Sequence, residues 1–331
     1  MNVTALEWTV TLVGLSALLL ADLIIVGRRP HEPSMKESAL WVTFYVGLAA
    51  LFGIWIYVHE GAQYGGEFFA GWLTEYSLSV DNLFVFVIIM ARFAVPREYQ
   101  QKVLMFGIVI ALIMRGAFIA AGAAVVSRFS WVFYIFGVFL VYTAVTLLRH
   151  GEDDESDYKE NVMIRWARRI LPMSKENDGA RLTTRVGGRR LFTPMLIVMI
   201  AIGTTDLIFA LDSIPAIFGL TKEAYLVFTA NVFALMGLRQ LYFLLGGLLD
   251  RLVYLSVGLA AVLAFIGVKL VLEALATNNL PFINGGELVH WAPHIPIWLS
   301  LTVIIGTLII ATIASLWKSS RDKRLEAASQ S

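Results

Sequence analysis

Nine apolar stretches of roughly twenty residues run through this chain of 331 residues, and no soluble core buries that many. In hydrocarbon every backbone N–H and C=O must be paired internally, which leaves helices or closed barrels. Runs this long, without polar–apolar alternation, read as helices. We expect spans near 6–26, 39–58, 68–91, 103–126, 130–148, 192–219, 223–245, 252–276 and 296–317. Composition agrees, since 58% of the residues are apolar and only 15% are charged, against about a quarter charged in soluble domains. The expected fold class is therefore an all-α polytopic membrane protein with about nine transmembrane helices. No basic segment precedes the first apolar run, so that run reads as a span and not as a cleaved signal.

Charge sets the orientation. Of 26 Lys and Arg, 21 fall in the loops of one side, ten of them between Arg149 and Arg190. Only Arg128 and Lys222 fall in loops of the other side, and Arg115, Arg239 and Lys269 lie within spans. The positive-inside rule then places the N-terminus outside and the C-terminus in the cytoplasm, across the cell membrane. Between residues 149 and 191 lies the one long polar segment. There Met163, Ile164, Trp166, Ala167, Ile170 and Leu171 recur at helical spacing opposite Arg165, Arg168 and Arg169. This reads as a short helix on the cytoplasmic leaflet, stopped by Pro172.

Several function classes are excluded. The chain has no cysteine, so disulfides, thiolate metal sites and thiol nucleophiles are absent. No basic patch interleaved with aromatics points to nucleic acid, and no glycine-rich loop is placed to cradle phosphate. Enzymatic chemistry and a tightly bound cofactor are not expected. The oligomeric state is not encoded legibly.

Two acidic pairs sit inside membrane-length apolar stretches. The first is Glu75 and Asp81, followed by Asn82; the second is Asp206 and Asp212, followed by Ser213. A carboxylate at bilayer depth is expensive and marks function by default. On a helix Glu75, Ser79 and Asn82 share a face, as do Asp206 and Ser213, whereas each second acid points about 240° away from the first. Pro215, with Gly203, Thr204 and Thr205 upstream, suggests a discontinuous helix whose freed carbonyls join a cation site.

The resemblance between the two motifs extends downstream. Ala111-Leu112-Ile113-Met114-Arg115 is echoed by Ala234-Leu235-Met236-Gly237-Leu238-Arg239. Because the two units enter from opposite sides, they would form two inverted three-helix repeats with the site where they meet. The expected organisation is a two-helix region (1–66), a first repeat (67–148), a cytoplasmic linker (149–191), a second repeat (192–276), and a last segment with an outer loop, a span and a tail (277–331).

Four carboxylates with Asn82 and Ser213 make an oxygen-rich set. Such donors suit Mg²⁺, Ca²⁺ and Mn²⁺ and serve soft metals poorly. The structural alternative is ion pairing, with Arg115 and Arg239 neutralising Asp81 or Asp212. Lys269 would pair with Glu273 or act as a tethered cation, and Asn231 would be either a ligand or a helix–helix hydrogen bond. Asp22 would snorkel to the interface or serve a gate, and Glu67 would be interfacial.

The run Glu75 to Phe86, the run Asp206 to Ala216, and Asn231-Val232-Phe233-Ala234 with Gly237-Leu238-Arg239 resemble the signature of the TerC family of integral membrane proteins. The resemblance covers nearly the whole chain and is nearest to the Alx-like branch. It implies export of manganese and implicates Glu75, Asp81, Asp206 and Asp212 in ion transport. The expectation is a secondary exporter of divalent ions, with Mn²⁺ as transported substrate, protons as candidate coupling ion and the lipid bilayer as its surroundings. Ca²⁺ or protons as cargo, or a membrane scaffold with structural buried charges, are the alternatives.

Overall fold

The computed structural model describes the chain apart from residues 2, 29–32, 94, 127, 130, 151–168, 173, 175–180, 187–188, 246–253, 277, 279, 281–282, 285–286, 288, 290, 294 and 330–331. Within helices and strands, the side chains at 25–28, 81, 84, 92, 98, 150, 185–186, 189, 245 and 322–329 also lie outside the description. In chain order the elements are α1 (Ala5–Arg28), α2 (Met35–Glu60), α3 (Ala62–Arg92), α4 (Arg97–Val126), α5 (Val132–His150), β1 (Thr183–Val186), β2 (Arg189–Phe192), α6 (Pro194–Phe218), α7 (Ala224–Leu235), α8 (Leu238–Leu245), α9 (Leu255–Ala276) and α10 (Ile297–Ser329). Among the described residues nine helical segments are long and apolar enough to cross a membrane, with α7 and α8 together making the seventh.

Several helices extend beyond their apolar windows. Ser34 caps α2 by accepting a hydrogen bond from the backbone of Glu37, the start signal that a hydropathy window overlooks. α3 begins at Ala62 and α4 at Arg97, each adding polar turns ahead of its span. A small antiparallel hairpin, β1 with β2, was not expected; Thr183 faces Phe192 and Val186 faces Arg189. The β-branched Thr183, Thr184 and Val186 lead into Gly187-Gly188, a hairpin signature. The expected surface helix between Met163 and Leu171 falls mostly outside the described residues.

α3, α6 and α7 make the centre. α7 packs on α3 and α4, and α6 packs on α4 and α3. α5 and α9 form the closest helix pair. A Cβ on Gly137 would lie 2.7 Å from the Gly267 carbonyl oxygen, and one on Gly267 would lie 2.8 Å from that of Gly137. The contacts are reciprocal, since Gly137 also meets Val271 and Gly267 meets Val141. α1, α2 and α10 are peripheral and present Leu6, Leu51 and Ile310 outward, as lipid-facing helices do.

The helix break is not where it was expected. α6 runs unbroken through Pro215 to Phe218. Proline there removes one donor close to the helix end, and the Pro215 carbonyl accepts from Gly219 at 3.0 Å. Thr204 returns its hydroxyl to the Ile200 carbonyl at 2.6 Å, so mid-helix threonine is satisfied locally. The break lies instead at Met236-Gly237, between α7 and α8. Met236 is extended (ψ 128°) and Gly237 has φ +85°, a region that side chains with a Cβ avoid. A Cβ at Gly237 would also lie 3.2 Å from the Tyr45 ring. Gly237→Ala is therefore expected to destabilise by about 1–2 kcal/mol. Thermal unfolding of the purified protein in detergent checks this, and an unchanged midpoint would contradict it.

Candidate functional site

The two repeat-like motifs meet through one arginine. Arg115, on α4, is 1% exposed and is among the largest fully buried side chains. Its Nε donates to Asp206 Oδ2 at 2.9 Å and its Nη2 to Asp206 Oδ1 at 3.0 Å. That is the bidentate fork for which guanidinium and carboxylate are matched. Its Nη1 donates to Glu75 Oε1 and, at 3.4 Å, to Ser213 Oγ. Glu75 on α3 and Asp206 on α6 are 0% and 3% exposed. One cation therefore ties the first acid of each pair together, and two formal negative charges face one positive.

The helical geometry explains the grouping. Asp206 and Ser213 share a face of α6, and both reach Arg115. On α3, Glu75 and Ser79 are both fully buried and Asn82 is buried, as their shared face requires. Asp212 points elsewhere; it is half-buried between the exposed Leu211 and the buried Ser213, yet within electrostatic reach of Arg115. The side chain of Asp81 lies outside the described residues.

The cluster holds more polar atoms than it pairs. Glu75 Oε2 and the hydroxyls of Thr74 and Ser79 are buried and find no partner among the described residues. Both amide atoms of Asn231 on α7 are equally unpartnered. Ala230, just before Asn231, lies opposite Gly71, where an added Cβ would be 3.6 Å away; Gly71 is one turn from Glu75. Buried polar groups normally have partners, so orphaned oxygens around a half-neutralised acid are a place for water or a cation. Among the described residues no three acidic or histidine side chains converge closely enough to hold a metal ion. In this arrangement the guanidinium stands where a cation would be needed.

The other expected residues are placed differently. Arg239 does not meet Asp212; its Nη2 donates to Asp22 Oδ1 at 2.7 Å, joining α8 to α1. Its Nε and Nη1, and both amide atoms of Gln240, are buried without partners among the described residues. Asp22 is therefore ion-paired and does not simply snorkel. Lys269 lines a cavity that none of the Arg115 cluster reaches, and Glu273 accepts from Lys222 at 2.7 Å. Glu67, expected at the interface, is buried and accepts from Thr221 at 2.6 Å. Thr74 and Gln240 went unnoticed in the sequence, although each adjoins a charged residue inside an apolar span.

Known proteins share this chain over nearly its whole length. The profile of the integral membrane protein TerC family matches residues 60–323. An uncharacterized membrane protein of Mycobacterium tuberculosis is 49% identical over 322 residues, 96% of this chain and 81% of that protein. An uncharacterized membrane protein of Myxococcus xanthus is 39% identical over 94% of this chain and 92% of its own length. Alx of Escherichia coli (strain K12), named for a proposed role as a membrane-bound redox modulator, is 37% identical over 96% of both chains. No solved structure matches the chain.

Proposed function

We propose that this chain, which belongs to the TerC family of integral membrane proteins, is a secondary exporter of divalent cations with Mn²⁺ as its leading cargo. The observation that carries the reading is the Arg115 cluster, in which one guanidinium bridges Glu75 and Asp206 inside the protein core. Beside it are the orphaned Glu75 Oε2 and, on the same face of α3, the Ser79 hydroxyl, while the unpartnered oxygens of Thr74 and Asn231 lie elsewhere on α3 and α7. All are hard donors of the kind Mn²⁺ and Ca²⁺ accept. Arg115 then acts as a tethered counter-charge. It neutralises the acids when no ion is bound, and the arriving cation takes its place. Asp81, Asn82, Asp212 and Ser213 complete the donor set.

The reading extends to topology. The reciprocal crossing of Gly137 on Gly267 supports two inverted three-helix units, because an isologous contact is what a two-fold axis generates. The N-terminus lies outside and the C-terminus in the cytoplasm of the cell membrane. Protons competing for the same carboxylates supply the driving force. The redox role in the name of the Escherichia coli relative, if carried here, would run without thiols, because the chain has no cysteine. A second reading, a membrane scaffold, is favoured by the bidentate Arg115–Asp206 pair, which also fits a purely structural tie.

Intracellular manganese decides between them. Cells lacking manganese exporters, challenged with Mn²⁺, should hold low manganese with the wild-type chain. They should hold high manganese with Asp81→Asn, Asp206→Asn or Asp212→Asn at matched abundance. Unchanged manganese with wild type would reject the cargo, and altered calcium or alkaline-pH survival would name another ion. Variants that fail to accumulate would favour the scaffold.

A further inference from the structure

On the face where α3 and α7 begin, the helices part around a cavity of about 890 Å³. Its walls are largely apolar and ring-rich, with Phe69, Phe133, Phe218, Leu220, Leu270 and Leu301 among them. Volumes of roughly 300–1,000 Å³ with few polar groups are typical of small-molecule sites. Five charged side chains also line it: Glu67, Lys222, Glu223, Lys269 and Glu273.

Glu223 accepts from the Met1 amino group at 3.1 Å, and the partners of the others leave one group over. Glu67 accepts from Gln63 at 3.0 Å and from Thr221 at 2.6 Å. Lys222 donates to Glu273 at 2.7 Å and lies 5.2 Å over the Phe133 ring. Lys269 is only 9% exposed. It feels the charges of Glu273 and Glu67 but makes no hydrogen bond or ion pair among the described residues. An ammonium carries three donors and no acceptor, and the Lys269 nitrogen is not among the buried unpartnered atoms but opens to the cavity. It is placed to donate to whatever enters the cavity.

The charges narrow the ligand. Glu223 and Glu273 are each paired with an ammonium, of Met1 and Lys222, whereas Glu67 has only neutral partners, so a fatty-acid carboxylate or lipid phosphate would meet the Glu67 charge as well as Lys269. A neutral acceptor avoids that repulsion. The phenylalanine walls suit a flat ring. Ile297 and Leu301 of α10 line one side, and the neighbouring Trp298 is 65% exposed, so an apolar tail has a route to lipid.

We propose that this cavity binds a membrane-dissolved quinone, a neutral ring whose carbonyl oxygen accepts from Lys269 and whose tail leaves past α10. The site is separate from the Arg115 cluster and does not depend on the transport reading.

The test uses the full chain in phosphatidylcholine nanodiscs, titrated with decylubiquinone and with menadione, and reads quenching of tryptophan fluorescence. Wild type should quench saturably. Losing a hydrogen bond from a charged donor should weaken binding roughly tenfold or more in Lys269→Met, whereas Lys269→Arg should stay close to wild type. Leu301→Phe, which fills the cavity and keeps the lysine, should also weaken binding and serves if Lys269→Met does not fold. Unsaturable quenching, equal in wild type and in both weakened variants, would mean partition into the bilayer and overturn the proposal. Displacement by oleate or phosphatidylglycerol at or below the quinone concentration would overturn it in favour of an anionic headgroup.

Discussion

Arg115→Leu is expected to destabilise the protein by roughly 3–5 kcal/mol, the typical loss when one partner of a buried ion pair is removed. The reason is the charge it leaves behind. Glu75 and Asp206 are almost fully buried and share this one guanidinium. Without it two carboxylates face each other across α3 and α6, with Ser213 and the orphaned Ser79 and Thr74 unable to supply a positive charge. Unfolding in detergent mixtures measures the loss directly.

A charge-balanced variant separates charge from packing. Arg115→Leu with Glu75→Gln and Asp206→Asn removes all three charges at nearly constant volume, and replacing buried ion pairs with neutral groups is often tolerated. Most of the stability should return. On the proposed transport reading manganese export should not, because the carboxylates proposed to receive the cation are gone. A single Arg115→Leu variant as stable as wild type would show that the acids do not depend on this arginine for their charge balance. A triple variant that still exports would remove the cluster from the transport path.

The spans were legible because hydrocarbon permits so few solutions. Twenty-residue apolar runs have to be helices, and the nine expected spans overlay the nine observed among the described residues. Ends were less legible, since hydropathy follows the membrane and not the helix. Ser34 caps α2 and polar turns lengthen α3 and α4. The break was misplaced because Pro215 draws attention in the sequence, whereas its cost falls on the final turn of α6. Gly237 was the better signal. The second motif carries one more residue than Ala111 to Arg115, and the extra residue sits at the positive φ.

At the site, helical periodicity sufficed to bring Asp206 and Ser213 to one side, and Glu75 with Ser79 to another. Which arginine met which acid was not legible. Sequence similarity between the arginine motifs suggested equivalent roles, yet Arg115 lies between two motifs while Arg239 turns to Asp22. The difference arises at the helix break, which resets the direction of every side chain after Gly237. Lys269 was expected to pair with Glu273 or serve as a tethered cation; Lys222, from the loop between α6 and α7, takes Glu273 instead, a contact 51 residues apart in sequence.

Gly137→Ala and Gly267→Ala should each destabilise by about 1–3 kcal/mol, as overpacking does, and together by clearly less than the sum. Membrane helices gain little from hydrophobic burial against one another, so α5 and α9 hold together by close backbone approach at small residues. The Cβ added at Gly137 would meet the Gly267 carbonyl oxygen at 2.7 Å, and that added at Gly267 the Gly137 carbonyl oxygen at 2.8 Å. Backbone atoms cannot rotate away, so the first methyl must part the helices. Once they have parted, the second finds room, which makes the two changes coupled. Gly306 on α10 has nothing within 4 Å of an added Cβ, and Gly306→Ala should instead be neutral or stabilise by up to about 1 kcal/mol through helix propensity. A double-mutant cycle of unfolding in mixed detergent micelles reads all four variants. Strict additivity of the Gly137 and Gly267 effects, or equal behaviour of Gly306→Ala, would mean that the helices do not cross through these two glycines.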